Sequence, residues 1–183
     1  MDTQKPTLLN QGMKYGLILG FAQVVVYLLL YAIDKNLLVS FWVGGIMMLL
    51  SIALMVLPVR NYKSTNNGVI DFKDAFLICL ITIAGGALIT SVFNYILYNV
   101  IDPSLADFIK EKAIEKMATM MEKFGGSQEE IEKGIESIQK QDFSQSPSKL
   151  GSQYLSGVLF GSIPALIIAA ILRTKNKPTN DIQ

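Results

Sequence analysis

Few residues in this chain can do chemistry, and their types narrow it quickly. The chain has no histidine and a single cysteine, Cys79. A Ser-His dyad, a histidine-ligated zinc and a haem-binding histidine are therefore out, and one thiolate cannot build a metal site. Cys79 cannot form a disulfide within the chain. Lying in an apolar run, it reads as a small buried or lipid-facing side chain. Acidic neighbours such as Glu129-Glu130 with Glu132 could pair for acid-base work, but a solvated helix face accounts for them better. What remains is uncharged: Gln23, Asn94, Asn99 and Gln153, set in apolar surroundings. These can hydrogen-bond between helices, which is the simpler reading, or line a path for a polar solute. No catalytic residue, cofactor site or metal site is expected, and no enzyme activity.

The elements that must position these residues are four long uncharged apolar stretches, 15–33, 37–59, 75–101 and 150–172. Each is about as long as a helix needs to cross a hydrocarbon core of ~30 Å at 1.5 Å per residue. An apolar fraction of 51% fits that solvent, as does a mean hydropathy of +0.40. The first stretch is longer than the 7–15 residues typical of a signal core and no small-x-small site follows, so it reads as a retained span. The formal charge of +1 gives no case for nucleic acid binding. Proton- or ion-coupled carriers usually keep an ionisable group inside the bilayer. These spans hold no charged residue, which weighs against small multidrug-type exchangers and proton pumps.

The predicted architecture is all-α: an integral membrane four-helix bundle with an extramembrane amphipathic helical hairpin between spans 3 and 4. Residues 1–14 form a polar N-terminal tail. Lys14-Tyr15 opens the first span as an interfacial anchor, and Trp42 sits at similar depth in the second. A tight turn at Asp34-Lys35-Asn36 makes those two spans antiparallel, and Pro58 with Arg60 closes the second. Asn66-Asn67-Gly68 is a strong turn signal. Asp71 and Asp74 mark the next helix start, with Phe72 and Phe76 on one side. The third span is about 40 Å long as a helix, so it tilts or emerges at its 94–99 end. Pro164 predicts a kink in the fourth. Residues 173–183 are the C-terminal tail.

The insert, 102–149, opens on Asp102-Pro103 as N-cap and first helical residue. Leu105, Phe108, Ile109, Met117, Met120, Met121 and Phe124 then recur at helical spacing, and Gly125-Gly126 ends the helix. Ser127 to Glu130 is a capping box for a second helix carrying Ile131, Ile135 and Ile138. The methionine stripe packs on those isoleucines, lies on the membrane surface or receives a protein partner; methionine suits irregular surfaces. Phe108, Met117, Met120, Met121 and Phe124 are the candidate partner surface.

Each span carries a small-x-x-x-small face: Gly16 with Gly20, Ser40 with Gly44, Thr82 with Gly86, Gly157 with Gly161. In lipid such faces let helix backbones approach. They suit packing within the chain, and between subunits as the weaker reading. Four spans put both termini on one face. Basic residues divide evenly between the faces, but those nearest the spans, with both arginines, lie on the terminal face. The positive-inside rule then puts the termini in the cytoplasm and the insert in the periplasm, across a cell inner membrane.

Lys14-Tyr15-Gly16, the run Gly68 to Phe76 and Tyr98 to Pro103 together resemble the membrane family designated domain of unknown function 4199, common in Bacteroidetes-type bacteria. The resemblance covers about Lys14 to Arg173. It implies four spans with a helical insert before the last, and no assigned activity or site residues. The leading functional expectation is a non-enzymatic inner-membrane protein whose outward hairpin engages a protein partner or the envelope. The alternative is a subunit of a small transporter or channel acting as a homo-oligomer, resting on the small-residue faces and the polar 94–99 segment.

Overall fold

A computed structural model describes residues 7–174, which form six α-helices and no strands. The parts of the two predicted tails at 1–6 and 175–183 lie outside the described residues. Helices α1 (Leu8–Ile33), α2 (Phe41–Thr65), α3 (Phe72–Ile96) and α6 (Pro147–Leu172) are long and apolar. A π-helical turn, Leu97–Ile101, prolongs α3, and these four segments are each long and apolar enough to cross a membrane. Large apolar side chains cover their outer faces, Phe160 being 74% exposed and Ile171 71%. Water is a poor solvent for such a surface, and lipid a good one.

Helix α1 begins earlier than the sequence predicts. Thr7 caps it, its Oγ1 accepting from Asn10 N–H at 3.2 Å. Residues 8–14 are therefore helix rather than tail. Gln11 and Gly12 are buried there, so tertiary packing holds a turn that polar composition argued against. The Asp34 turn becomes a 3-10 turn, Lys35–Val39, with Asp34 Oδ1 capping Asn36 N–H at 2.9 Å. Helix α2 does not close at Pro58; it runs seven residues further, to Thr65. Proline removes one backbone hydrogen bond, but Pro58 is wholly buried and the packing around it keeps the helix going. The turn at 66–68 forms as expected, with Asn67 and Gly68 at φ +53° and +76°. Phe72 and Phe76 stack at 6.3 Å. Helix α6 starts with Pro147 in its first turn and is continuous through Pro164.

The apolar core sits at one end of these helices. Met55 and Val59 of α2, Ala75, Ile78 and Cys79 of α3, and Ala165 and Ala169 of α6 meet there with Ile70. The α2–α3 connection is strapped to the end of α6 at the same end. Ile70 N–H donates to Thr174 Oγ1 and Thr174 N–H to Ile70 O, both at 2.9 Å. Lys63 Nζ adds a bond to Leu172 O at 2.9 Å.

At the other end α4 (Leu105–Lys123) and α5 (Gln128–Gln139) fold back on each other. Gly125 at φ +76° terminates α4, and the Ser127–Glu130 capping box starts α5. Asp102 is not the N-cap that the sequence suggested: Ser104 precedes α4, and the Asp102 carboxylate is used elsewhere.

Candidate functional site

Helices α1 and α3 touch in two distinct ways along their length. Near the core end the approach is close. A methyl group added at Gly16 would stand 2.9 Å from the Thr82 carbonyl oxygen and 3.2 Å from Gly85 Cα. Thr82 Oγ1 also reaches the Gly12 carbonyl at 3.3 Å. Gly20 faces Ile89, and Gly86 faces Leu19, at 2.6 and 2.9 Å on the same construction. Gly161 of α6 meets Ile83 at 2.8 Å, whereas Gly44 and Gly157 have nothing within 4 Å. Small-residue spacing thus marks contacts at Gly16, Gly20, Gly86 and Gly161, and open space at Gly44 and Gly157.

Toward the hairpin end the same two helices present polar residues every fourth position. Gln23, Tyr27 and Tyr31 on α1 face Thr90, Asn94, Tyr98 and Asp102 on α3 and its π turn. Four-residue spacing keeps each set on one helix face. Gln23 Nε2 donates to Ser51 Oγ of α2 at 2.9 Å, and the Ser51 hydroxyl donates in turn to Met47 O at 2.8 Å. The Tyr27 and Tyr98 hydroxyls lie 3.4 Å apart. Asp102 ends the file. Its carboxylate accepts from Tyr31 OH at 2.9 Å, Lys35 Nζ at 2.6 Å and Ser104 Oγ at 2.6 Å. The π turn, closed by Asp102 N–H to Leu97 O at 2.8 Å, turns this carboxylate back toward α1.

Two small cavities lie along the file. One, of about 150 Å³, is lined by Gln23, Tyr27, Met47, Thr90, Phe93 and Asn94, with Val24. The other, of about 210 Å³, lies beside Ser51, Met55, Ile83 and Gly157 and shares Gln23 and Thr90 with the first. The Asn94 carboxamide has no hydrogen-bond partner among the described residues. Asn99 instead ties the end of α3 to the approach to α6, donating to Tyr95 O and Gln145 O at 2.8 Å each. Gln153 lies on an exposed face.

The Lys35–Asp102 pair has a readable pH dependence. Lys35, Ser104 and Tyr31 donate to the Asp102 carboxylate and hold its pKa well below the ordinary 3.8. Its contribution is fully present above 3.8 and is lost as pH falls through the lowered value. The bond to Asp102 raises Lys35 above 10.5, so its contribution is complete below 10.5 and is lost as pH rises through the raised value. Melting curves in detergent are expected to show a stability gap between the wild type and Asp102→Asn that is constant between those limits. The gap closes in strong acid. A gap that opens or closes near neutral pH would point to another group.

The predicted partner surface divides. Met117 and Met121 pack on Gly134 of α5, and Phe108 is half-buried. Met120 is 41% exposed and Phe124 86%. Lys116 Nζ donates to the Val39 carbonyl and fixes α4 against the α1–α2 connection. An apolar groove of about 310 Å³ opens beside that contact, between Val39 and Phe41 on one wall and Met117, Met120 and Ile138 on the other. Phe41 is 83% exposed at its rim.

Sequence reasoning singled out Gln23 and Asn94 but missed Ser51, Thr90, the three tyrosines and the Lys35–Asp102 pair. The four-residue polar spacing on α1 and α3 was the available signal. Among the described residues, no group of three or more His, Cys, Asp or Glu side chains could hold a metal ion.

A family model described as a protein of unknown function (DUF4199) matches residues 14–174. No curated protein and no solved structure matches the chain.

Proposed function

We propose, from the premise that this chain belongs to the DUF4199 family, that it is a non-enzymatic, multi-pass inner-membrane protein whose α4–α5 hairpin recognises an apolar segment of another membrane protein. In this reading the four apolar helices form a membrane bundle with both termini in the cytoplasm and the hairpin outside. The groove between Phe41 and Met120 carries it. Its lining is apolar except for Lys116, whose ammonium is already bonded to Val39 O. Phe41 heads a membrane-length helix, so the groove meets the bilayer surface, where a partner's own helix would present apolar side chains. The hairpin is held in place by the Asp102 and Lys116 contacts, which lowers the ordering cost of binding. The histidine-free composition and the buried lone cysteine support a role without catalysis.

A photo-crosslinker at Met120 in intact membranes tests this. One discrete protein adduct, lost in Met117→Asp, is expected. Adducts to lipid alone would remove the reading.

A second reading, a subunit of a small transporter or channel acting as a homo-oligomer, is favoured by the polar file between α1 and α3 and its two cavities.

A further inference from the structure

We infer that the space between α1, α2 and α3 is a binding site for small neutral molecules that both donate and accept hydrogen bonds, open toward the hairpin end and closed against the buried side chains of Leu19, Met55 and Ile83. The ligand class follows from the lining. Every polar group along the cavities is uncharged: the carboxamides of Gln23 and Asn94, the hydroxyls of Ser51, Thr90 and Tyr27. An ion would find no counter-charge there, and an apolar guest would strand the amides.

Asn94 carries the point furthest. An amide in a membrane-spanning segment with no partner costs several kcal/mol, and water or a solute of matching chemistry removes that cost. Gln23 lies ten residues from the end of α1, about 15 Å deep at 1.5 Å per residue, near the middle of a ~30 Å core. A volume of about 150 Å³ has room for several waters at about 30 Å³ each, or for one molecule the size of urea or glycerol.

The direction of access follows from how α1 and α3 pack. From Gly12 to Gly20 the helices approach so closely that a methyl group would collide with Thr82, Ile81 or Ile89. No solute passes there. From Gln23 upward the facing side chains are polar, the tyrosine pair and then the Asp102 cluster, whose Lys35 side chain is 39% exposed. The site is therefore blind at the core end and polar at the hairpin end. It stands without the hairpin groove. It deepens the transporter reading by naming what the space holds, and the test below reads occupancy rather than flux.

The test uses the full chain in proteoliposomes with Cys79→Ser as background and a single new cysteine at Asn94, or at Thr90 should the first variant fold poorly. A small, uncharged, water-soluble thiosulfonate, added on one side with glutathione as an impermeant thiol scavenger on the other, is expected to label either cysteine from the hairpin side only. The lipid-facing control Leu88→Cys, 57% exposed in the wild type, is expected to react at least tenfold more slowly. Slowing of the Asn94→Cys reaction by molar urea or glycerol identifies a neutral solute as the occupant, and no slowing identifies water. Both outcomes support the site. Labelling only by a lipid-soluble reagent, or equally from both sides, overturns it. If labelling proceeds while the proteoliposomes pass neither urea nor glycerol, the site stands and the transporter reading falls.

Discussion

Gly16→Val is expected to be among the most destabilising substitutions at the span glycines, lowering stability by about 3 kcal/mol or more. The side chain would meet backbone on two sides, the Thr82 carbonyl and Gly85 Cα. Neither can move unless the helices separate. Overpacking that flexible side chains absorb costs about 1–3 kcal/mol, and a backbone collision stands at or above that range. Separation would also break the Thr82-to-Gly12 hydrogen bond. Gly157→Ala, with an identical motif spacing, meets nothing within 4 Å and is expected to change stability by less than about 0.5 kcal/mol. Thermal melts of the two variants in one detergent check the contrast. Equal melting temperatures would mean that α1 and α3 do not pack as described.

The second large effect is expected at Asp102. Asp102→Ala removes the acceptor shared by Tyr31, Lys35 and Ser104. Three donors lose a charged partner in one step, and hydrogen bonds to charged groups are the stronger kind. The outcome is local: the α3–α4 junction comes away from the end of α1, while the core at the opposite end is untouched. Limited proteolysis is expected to cut near 102–104 at least tenfold faster than in the wild type. Tyr31→Phe, which deletes a single donor, gives an intermediate rate. Unchanged cleavage in Asp102→Ala would show that Lys116 alone holds the hairpin.

These two sites mark where sequence reasoning works and where it stops. The four apolar helices were legible because uncharged runs of that length have few other uses. The hairpin's turn and second cap were legible because glycine at positive φ and a capping box act locally. Helix ends were less so. Thr7 to Lys14 looked like a tail because of Asn10, Gln11 and Lys14, yet burial of Gln11 and Gly12 extends α1 over them. Pro58 looked like a stop and is a buried interior residue.

Long-range pairing was the real boundary. Asp102 before Pro103 satisfies every local rule for a cap, and only the fold shows that Tyr31 and Lys35 lie within reach of it. The span glycines are likewise indistinguishable by spacing. Which of them touch a neighbour depends on which helices face each other, and no single helix encodes that.

Concentrating the tight packing around Met55, Ile78 and Ala169 has a mechanical consequence. The helices are clamped like tongs at their pivot, so thermal bending adds up with distance from it. The widest arc falls to the tips, at Tyr31, Phe41 and Asp102, where a small angular change becomes the largest displacement. The Asp102 and Lys116 bonds stand where that leverage is greatest, so they are the ties that check the bending.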